Sequence, residues 1–294
     1  MSNQTHINFN KRRELGSVIS DSLRFISDEF QPLVSVILKV NIIPMIMVIV
    51  AGIYYAYVSA KFQETAGMAE YGEPMFNMYD VGGSLVGLLL LLIAFIVSNT
   101  LIGVTTLSYI DSYRTNNGKV DFEALSRMIK NKFPSYLGMS IVTGIITGIG
   151  FVFCILPGFY FWATLALAPC ILVFNDRGAL DAFGDSFGFT KNYFWNTFGS
   201  IFVIWLILFI ISFIISIPLS LYTGEGIGFF NQNNTIDINQ MVTDPIYLLL
   251  NVVIYLFGFF FEIIVLVSRA FIYFDIREQE SPTTPNIIDS IGTE

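Results

Sequence analysis

The run YFWNTFGSIFVIWLILFIISFIISIPLS, residues 193–220, decides the fold class. It contains no Asp, Glu, Lys or Arg, and it exceeds the roughly 20 apolar residues that a helix needs to cross about 30 Å of hydrocarbon. Five further stretches are apolar enough to do the same, namely 33–60, 81–110, 136–156, 159–174 and 246–273. The sequence therefore predicts an all-α integral membrane protein with six transmembrane helices.

The composition of the whole chain agrees with this prediction. The mean hydropathy is +0.66, and 13% of the residues are charged, against about 25% in an ordinary soluble domain. The connections between the apolar stretches are too short to form a core of their own. We therefore expect a single membrane domain over residues 13–275, an N-terminal tail at 1–12 and a disordered cytoplasmic tail at 276–294.

The basic residues predict the orientation of the chain. Fourteen of its fifteen Lys and Arg residues fall on one side of the predicted membrane, and Lys61 falls on the other. Positively charged loops stay in the cytoplasm, so both termini are expected there. Basic residues close to a membrane surface attract anionic headgroups, whereas nucleic acid requires a concentrated basic surface that this chain lacks. The phospholipid bilayer is the expected partner, and nucleic acid is excluded.

Three spans are preceded by similar segments, which suggests an internal repeat. Amphipathic interfacial helices are predicted at about 13–31, 119–134 and 178–192, and the segments align on Phe30, Phe133 and Phe194. In the first helix one apolar face is formed by Leu15, Val18, Ile19, Leu23, Ile26 and Phe30. Such a face would lie on the membrane before the chain turns inward. The chain then consists of three transmembrane hairpins, each preceded by a cytoplasmic interfacial helix.

Two details of this arrangement stay open in the sequence. The stretch 159–174 is short and contains Pro169, so 136–174 is either a full spanning hairpin or a shallow one that dips in from the cytoplasm. In the third span, glycines at 138, 144, 148 and 150 either serve close helix packing or form a ligand path, and we predict close packing.

Charged residues inside apolar runs are the first candidates for function, because burying a charge in hydrocarbon is costly. They are Glu262, Lys39 and Arg269, and the spacing of seven places Glu262 and Arg269 on nearly the same helical face. Glu262 is either a proton or cation site, or a structural partner of Lys39, of Arg269 or of the backbone. A second group of candidates comprises the interfacial basic residues Arg24, Arg127, Lys130, Lys132 and Lys191.

The usual signatures of catalysis are weak in this chain. His6 is its single histidine, and it lies in the N-terminal tail. The string Gly184-Asp185-Ser186 suggests a nucleophile, but it falls inside the third predicted interfacial helix. We therefore predict no catalytic residue, no metal ligand and no cofactor.

Several motifs resemble a known membrane domain. They are LPGFYF (156–161), APCILVF (168–174), GALDAFGDSF (178–187), KNYFWNTFG (191–199) and YFDIRE (273–278). The chain resembles the membrane domain attached to some bacterial glycerophosphodiester phosphodiesterases and related stand-alone polytopic proteins. The phosphodiesterase barrel with its divalent metal is absent here, so no catalytic residue carries over. The resemblance implies a six-span helical domain of the bacterial cytoplasmic membrane that accompanies another activity.

These observations lead to three hypotheses about function. The first is a non-enzymatic scaffold or accessory subunit of a membrane complex, with a protein partner. The second is a small transporter or lipid-handling protein with an intramembrane cavity around Glu262. The third, a membrane-embedded enzyme, would have to rely on carboxylates without histidine.

Overall fold

The computed structural model describes residues 9, 12–68, 78–223 and 244–280. These residues form eight helices and no strand. The helices are α1 Leu15–Met68, α2 Met78–Thr115, α3 Phe122–Phe153, α4 Ile155–Leu165, α5 Ala168–Phe174, α6 Ala179–Lys191, α7 Phe194–Thr223 and α8 Pro245–Glu280.

The all-α class is confirmed, together with six apolar helical stretches able to span a membrane. By length and composition these are α1, α2, α3, the pair α4 and α5, α7 and α8. They indicate a multi-pass membrane protein.

The first two predicted interfacial helices are not separate elements. Helix α1 has 54 residues and runs without a break through the end of its predicted interfacial part at residue 31. At 1.5 Å per residue it is about 81 Å long, far more than a bilayer requires. Helix α3 likewise begins at Phe122 and continues into its span. The third predicted segment does form its own helix, α6, which is separated from α7 by two residues.

The amphipathic face predicted for the start of α1 is also partly wrong. Val18 and Phe25 are buried against protein, whereas Leu23 and Phe30 are about half exposed, at 50% and 48%. Lipid and a protein interior are equally apolar, so a periodic pattern alone does not tell which of them a residue contacts. The threefold repeat stays a prediction.

The chain divides into two compact units. Unit 1 contains Met1–Val40, Thr100–Leu206 and Glu262–Glu294, and unit 2 contains Asn41–Asn99 and Ile207–Phe261. The divisions fall within the long helices α1, α2, α7 and α8. The prediction of a single membrane domain stays a prediction.

An aromatic cluster forms part of the core of unit 1. Phe9 is buried, and its ring contacts those of Phe25, Tyr113, Phe271 and Phe274 at centroid distances of 4.9 to 6.3 Å. Aromatic pairs at such distances contribute beyond the area that they bury. One residue of the predicted N-terminal tail is therefore part of the core.

The beginning of the predicted C-terminal tail is ordered helix. Helix α8 continues to Glu280, and Ile276 and Glu278 are buried. The prediction of disorder is therefore wrong for 276–280. The remainder, 281–294, and most of the predicted N-terminal tail lie outside the described residues.

Helices α3 and α4 fold back on each other at Cys154, whose backbone is extended. A Cβ added to Gly150 would lie 3.1 Å from the Cα atom of Gly158, so two backbones meet closely here. The same test finds open space at Gly138, Gly144 and Gly148. Close packing was therefore correctly predicted for Gly150 and wrongly for the other three.

Unit 2 consists of helical segments with a largely apolar exposed surface. Its buried polar contact joins the Asn41 side-chain amide, which donates to the Ser98 hydroxyl at 3.1 Å. Gly87 permits a close approach, because a Cβ there would lie 3.3 Å from the Cα atom of Tyr55. Side chains such as Ile43 and Ile93 are well exposed, as lipid-facing residues are.

Candidate functional site

Glu262 and Arg269 lie on α8 within unit 1, and the structure brings them to one cavity. This cavity has a volume of about 110 Å³, and Ser268, Trp162 and Trp205 also line it. A spacing of seven residues is nearly two helical turns, which places both charges on the same face. The cavity therefore combines an acid, a base and a hydroxyl with two indole rings.

The cavity is small for a ligand site. Its volume of about 110 Å³ has room for a few water molecules. Sites for drug-sized molecules measure about 300 to 1,000 Å³. The cavity is therefore large enough for water or a small ion and smaller than the usual site for a metabolite.

Tyr136 links this region to α2. It is buried, and it lies within the range of electrostatic interaction with Glu262 and Arg269. A Cβ added to Gly103 would collide with the Tyr136 hydroxyl oxygen, so the absence of a side chain at Gly103 makes room for this ring. The Nε atom of Arg269 is buried and has no hydrogen-bond partner within the described ranges.

The structure does not bring Lys39 to this cavity. Lys39 is exposed, and its Nζ atom lies 5.4 Å from the centroid of the Phe122 ring at the start of α3. A cation over an aromatic face is stabilised by the ring quadrupole. Lys39 is therefore no structural partner of Glu262 here.

The interfacial basic candidates divide into two groups by their contacts. Lys132 is turned inward, since its Nζ atom donates to the Val173 carbonyl at 2.6 Å and lies 3.4 Å from the carboxylate of Asp176. Lys130 and Lys191 are exposed and form no ion pair with any described residue. Lys132 thus fastens α3 to the end of α5, whereas the other two lysines face outward.

The two arginine candidates also lie on the surface. Arg24 is 3.7 Å from the carboxylate of exposed Asp28, one turn further along α1. Arg127 donates from Nε to the Glu123 carbonyl at 3.4 Å. Exposed pairs of this kind contribute about 0 to 1 kcal/mol, so both arginines can change partner at little cost.

Sequence analysis missed the role of Arg13. Its guanidinium is buried, with Nε 2.8 Å from Asp21 and Nη1 donating to the Phe9 carbonyl at 2.8 Å. Its backbone N–H donates to Asp275 at 2.6 Å. Arg13 stands next to Lys11 and Arg12, and nothing in this basic run marks it as the buried member.

Ser186 is a structural residue. Its side chain is buried and its hydroxyl donates to the Thr164 carbonyl in the last turn of α4. The last carbonyls of a helix lack partners within the helix, so Ser186 satisfies one of them. This contact occupies the hydroxyl proton.

Comparison with known proteins identifies a family. Residues 124–273, just over half of the chain, match a family described as a domain of unknown function, DUF7847. The chain belongs to this DUF7847 family. The matched region contains Lys130, Lys132, Lys191, Glu262 and Arg269, and it leaves α1 and α2 outside.

No curated protein and no solved structure matches the chain. The comparisons give no support for the more specific resemblance to the membrane domain of glycerophosphodiester phosphodiesterases. That resemblance stays a prediction, and DUF7847 is the family that is shown.

Proposed function

We propose that this DUF7847 protein is a non-enzymatic scaffold or accessory subunit of a complex in the bacterial cytoplasmic membrane, with both termini in the cytoplasm. The observation that carries the proposal is that the side chains of Lys130 and Lys191 are exposed, whereas that of Lys132 is turned inward. These two cations are available to an acidic surface of a protein partner. Their location in the cytoplasm follows from the distribution of basic residues along the chain.

The proposed lack of enzymatic activity rests on how the potential nucleophiles are placed. The Ser186 hydroxyl is hydrogen-bonded to a backbone carbonyl, and Cys170 is completely buried. Cys154 is exposed at the apolar turn between α3 and α4. A cysteine nucleophile is activated by a neighbouring base or cation, and the residues that flank Cys154 in the chain, Phe153 and Ile155, are apolar.

The experiment that tests the scaffold proposal compares the outward and inward lysines. The tagged protein is cross-linked in its native membrane, purified, and examined by mass spectrometry for proteins in stoichiometric amounts. We expect a partner with the wild type and its loss in the double variant Lys130→Gln, Lys191→Gln. Lys132→Gln is the matched control, and it should lower thermal stability while the partner is retained.

Two results would contradict the proposal. The first is a wild-type protein that is recovered without any stoichiometric protein partner. The second is a double variant that keeps its partner at the wild-type ratio, because the two exposed cations would then play no part in assembly.

A second candidate function is transport of a proton or small cation through the cavity at Glu262. It is favoured by the placement of Glu262, Ser268 and Arg269 around one space of about 110 Å³. Protein reconstituted in vesicles that contain a pH-sensitive dye would then conduct protons under an imposed potential. Glu262→Gln should abolish this flux and leave the thermal unfolding temperature unchanged. A variant that only unfolds at a lower temperature would make Glu262 a structural residue.

A further inference from the structure

A second, larger cavity lies in unit 1, where α1 begins, α7 begins and α8 ends. It measures about 360 Å³, within the size range of ligand sites. The apolar runs that predict these two spans begin at 193 and end at 273, so the cavity lies at the level where a span meets the polar headgroups. Its lining includes Arg13, Glu14, Trp195, Thr197 and Asp275.

One polar side chain in this cavity has no protein partner. Thr197 is 1% exposed, and its hydroxyl oxygen forms no hydrogen bond within the part of the chain that the structure describes. Buried polar groups are nearly always hydrogen-bonded, because an unsatisfied one costs about 1 to 3 kcal/mol. Thr197 lines the cavity, and a bound molecule that reaches its hydroxyl would satisfy this group. Ser200, three residues further along α7, offers a second hydroxyl.

The charges around the cavity favour a cationic ligand. Of the three charged residues that line it, Arg13 is positive and Glu14 and Asp275 are negative. The Arg13 guanidinium is already committed to Asp21 and to the Phe9 carbonyl, and Asp275 accepts from the Arg13 backbone and from Gln279. The Glu14 carboxylate has no side-chain partner in the described ranges 12–68, 78–223 and 244–280. Glu14 is therefore the charge that is available to a ligand.

The aromatic lining favours the same type of ligand. Trp195 is 77% exposed, and its ring meets those of Phe194 and Phe198 in edge-to-face contacts at centroid distances of 5.4 and 6.2 Å. An ammonium group has three N–H donors and no acceptor, so it needs a carboxylate and hydroxyl oxygens around it. Tryptophan is the side chain that attracts a cation most strongly over its ring face. Glu14, Thr197 and Trp195 supply these three kinds of contact.

We propose that this cavity binds an ammonium group, and that its natural source is the headgroup of an aminophospholipid. An anionic headgroup would meet the uncompensated carboxylate of Glu14 and is disfavoured. The site does not depend on the scaffold function proposed above.

The test uses the full-length protein in non-ionic detergent and native mass spectrometry. The probes are short-chain phosphatidylethanolamine and short-chain phosphatidylglycerol, each added at the same concentration. Phosphatidylethanolamine should bind with about tenfold higher affinity, the ratio expected from one hydrogen bond to a charged group. Glu14→Gln should remove this preference, and Thr197→Val should weaken it while keeping the shape of the side chain.

Glu280→Gln is the matched control, because it removes another exposed carboxylate of unit 1 that does not line the cavity. It should leave the preference unchanged. Equal binding of the two lipids to the wild type would overturn the proposal, and so would an unchanged preference in Glu14→Gln. Free ethanolamine is added as a competitor to identify the source of the ammonium group. If ethanolamine displaces the lipid at a concentration similar to that of the lipid, the site binds a soluble amine. If it does not, the site binds the headgroup of a lipid.

Discussion

The two compact units use the same kind of helix in different ways. Unit 1 buries polar and charged groups, among them Arg13, Ser186 and several threonine hydroxyls, and it closes around an aromatic cluster. Unit 2 buries the side-chain pair of Asn41 and Ser98 among its described residues, and apolar side chains form most of its exposed surface. Both cavities with charged groups that are proposed as sites belong to unit 1. An apolar helix therefore indicates a membrane location, whereas its buried polar residues indicate where specific function is to be sought.

The largest effect is expected for the aromatic cluster of unit 1. Phe9→Ala should destabilise the protein by about 3 kcal/mol or more, because the ring that it removes packs against four others. Thermal unfolding in detergent, followed by tryptophan fluorescence, measures the change. Phe30→Ala is the matched control, since that ring is half exposed and should matter little. Equal effects of the two substitutions would show that Phe9 is not part of the core.

A smaller but still large effect is expected at the contact between Gly103 and Tyr136. Gly103→Ala places a methyl group on the Tyr136 hydroxyl and should destabilise unit 1 by about 2 kcal/mol through overpacking. Gly148→Ala meets open space, and it should be neutral or stabilising by up to about 1 kcal/mol, because alanine favours the helix. The same measurement of thermal unfolding tests both substitutions. A neutral Gly103→Ala would mean that the buried tyrosine can move aside.

Unit 2 should respond more weakly to loss of its polar contact. Ser98→Ala removes the acceptor of the Asn41 amide and should cost about 1 kcal/mol, the typical value for one hydrogen bond between helices in a membrane. Ser35→Ala, an exposed serine on the same helix as Asn41, is the control. If Ser98→Ala lowered the free energy of unfolding as much as Phe9→Ala does, the contrast between the units would be contradicted. A buried polar contact would then matter as much to unit 2 as the aromatic cluster does to unit 1.

The smallest effect is expected outside the spans of unit 2, at Asp244. The Tyr222 hydroxyl donates to this carboxylate, and so does the Ile246 backbone N–H at 2.7 Å; together they hold the pKa of Asp244 below its ordinary value. A lowered pKa stabilises the folded state above the ordinary value of 3.8, and this contribution disappears as the pH falls through the folded value. The stability difference between the wild type and Asp244→Asn should therefore be constant above about pH 5 and shrink below about pH 4. A constant difference down to pH 3 would contradict the assignment.

The helical class and the six apolar stretches were predictable because both depend on local composition. A run of about 20 apolar residues has few alternatives to a membrane helix. The inward turn of Lys132 was not predictable, because its acceptor at Val173 is 41 positions away in the chain. Phe9 stands alone in a polar segment, without the periodic neighbours that would mark it as a core residue.

The candidate charges in the spans could be identified from the sequence, but their partners could not. The spacing of Glu262 and Arg269 fixes their common face because both lie on one helix. Lys39 lies on another helix, and its distance from Glu262 depends on how α1 and α8 pack. The cavity at Glu14 and Thr197 escaped notice for the same reason, since it is formed by the ends of three helices that are distant in sequence.

The tether between Lys132 and Asp176 has a consequence for how the protein enters the membrane. These residues are the first charges on either side of the stretch 133–174, which contains no Asp, Glu, Lys or Arg, and the exposed turn at Cys154 is apolar as well. Moving a charged residue to the middle of a membrane costs about 2.5 to 3.5 kcal/mol on the scale measured for insertion, and this hairpin moves none. The segment can thus pass into the lipid as one closed piece, with its two ends held together on one side of the membrane.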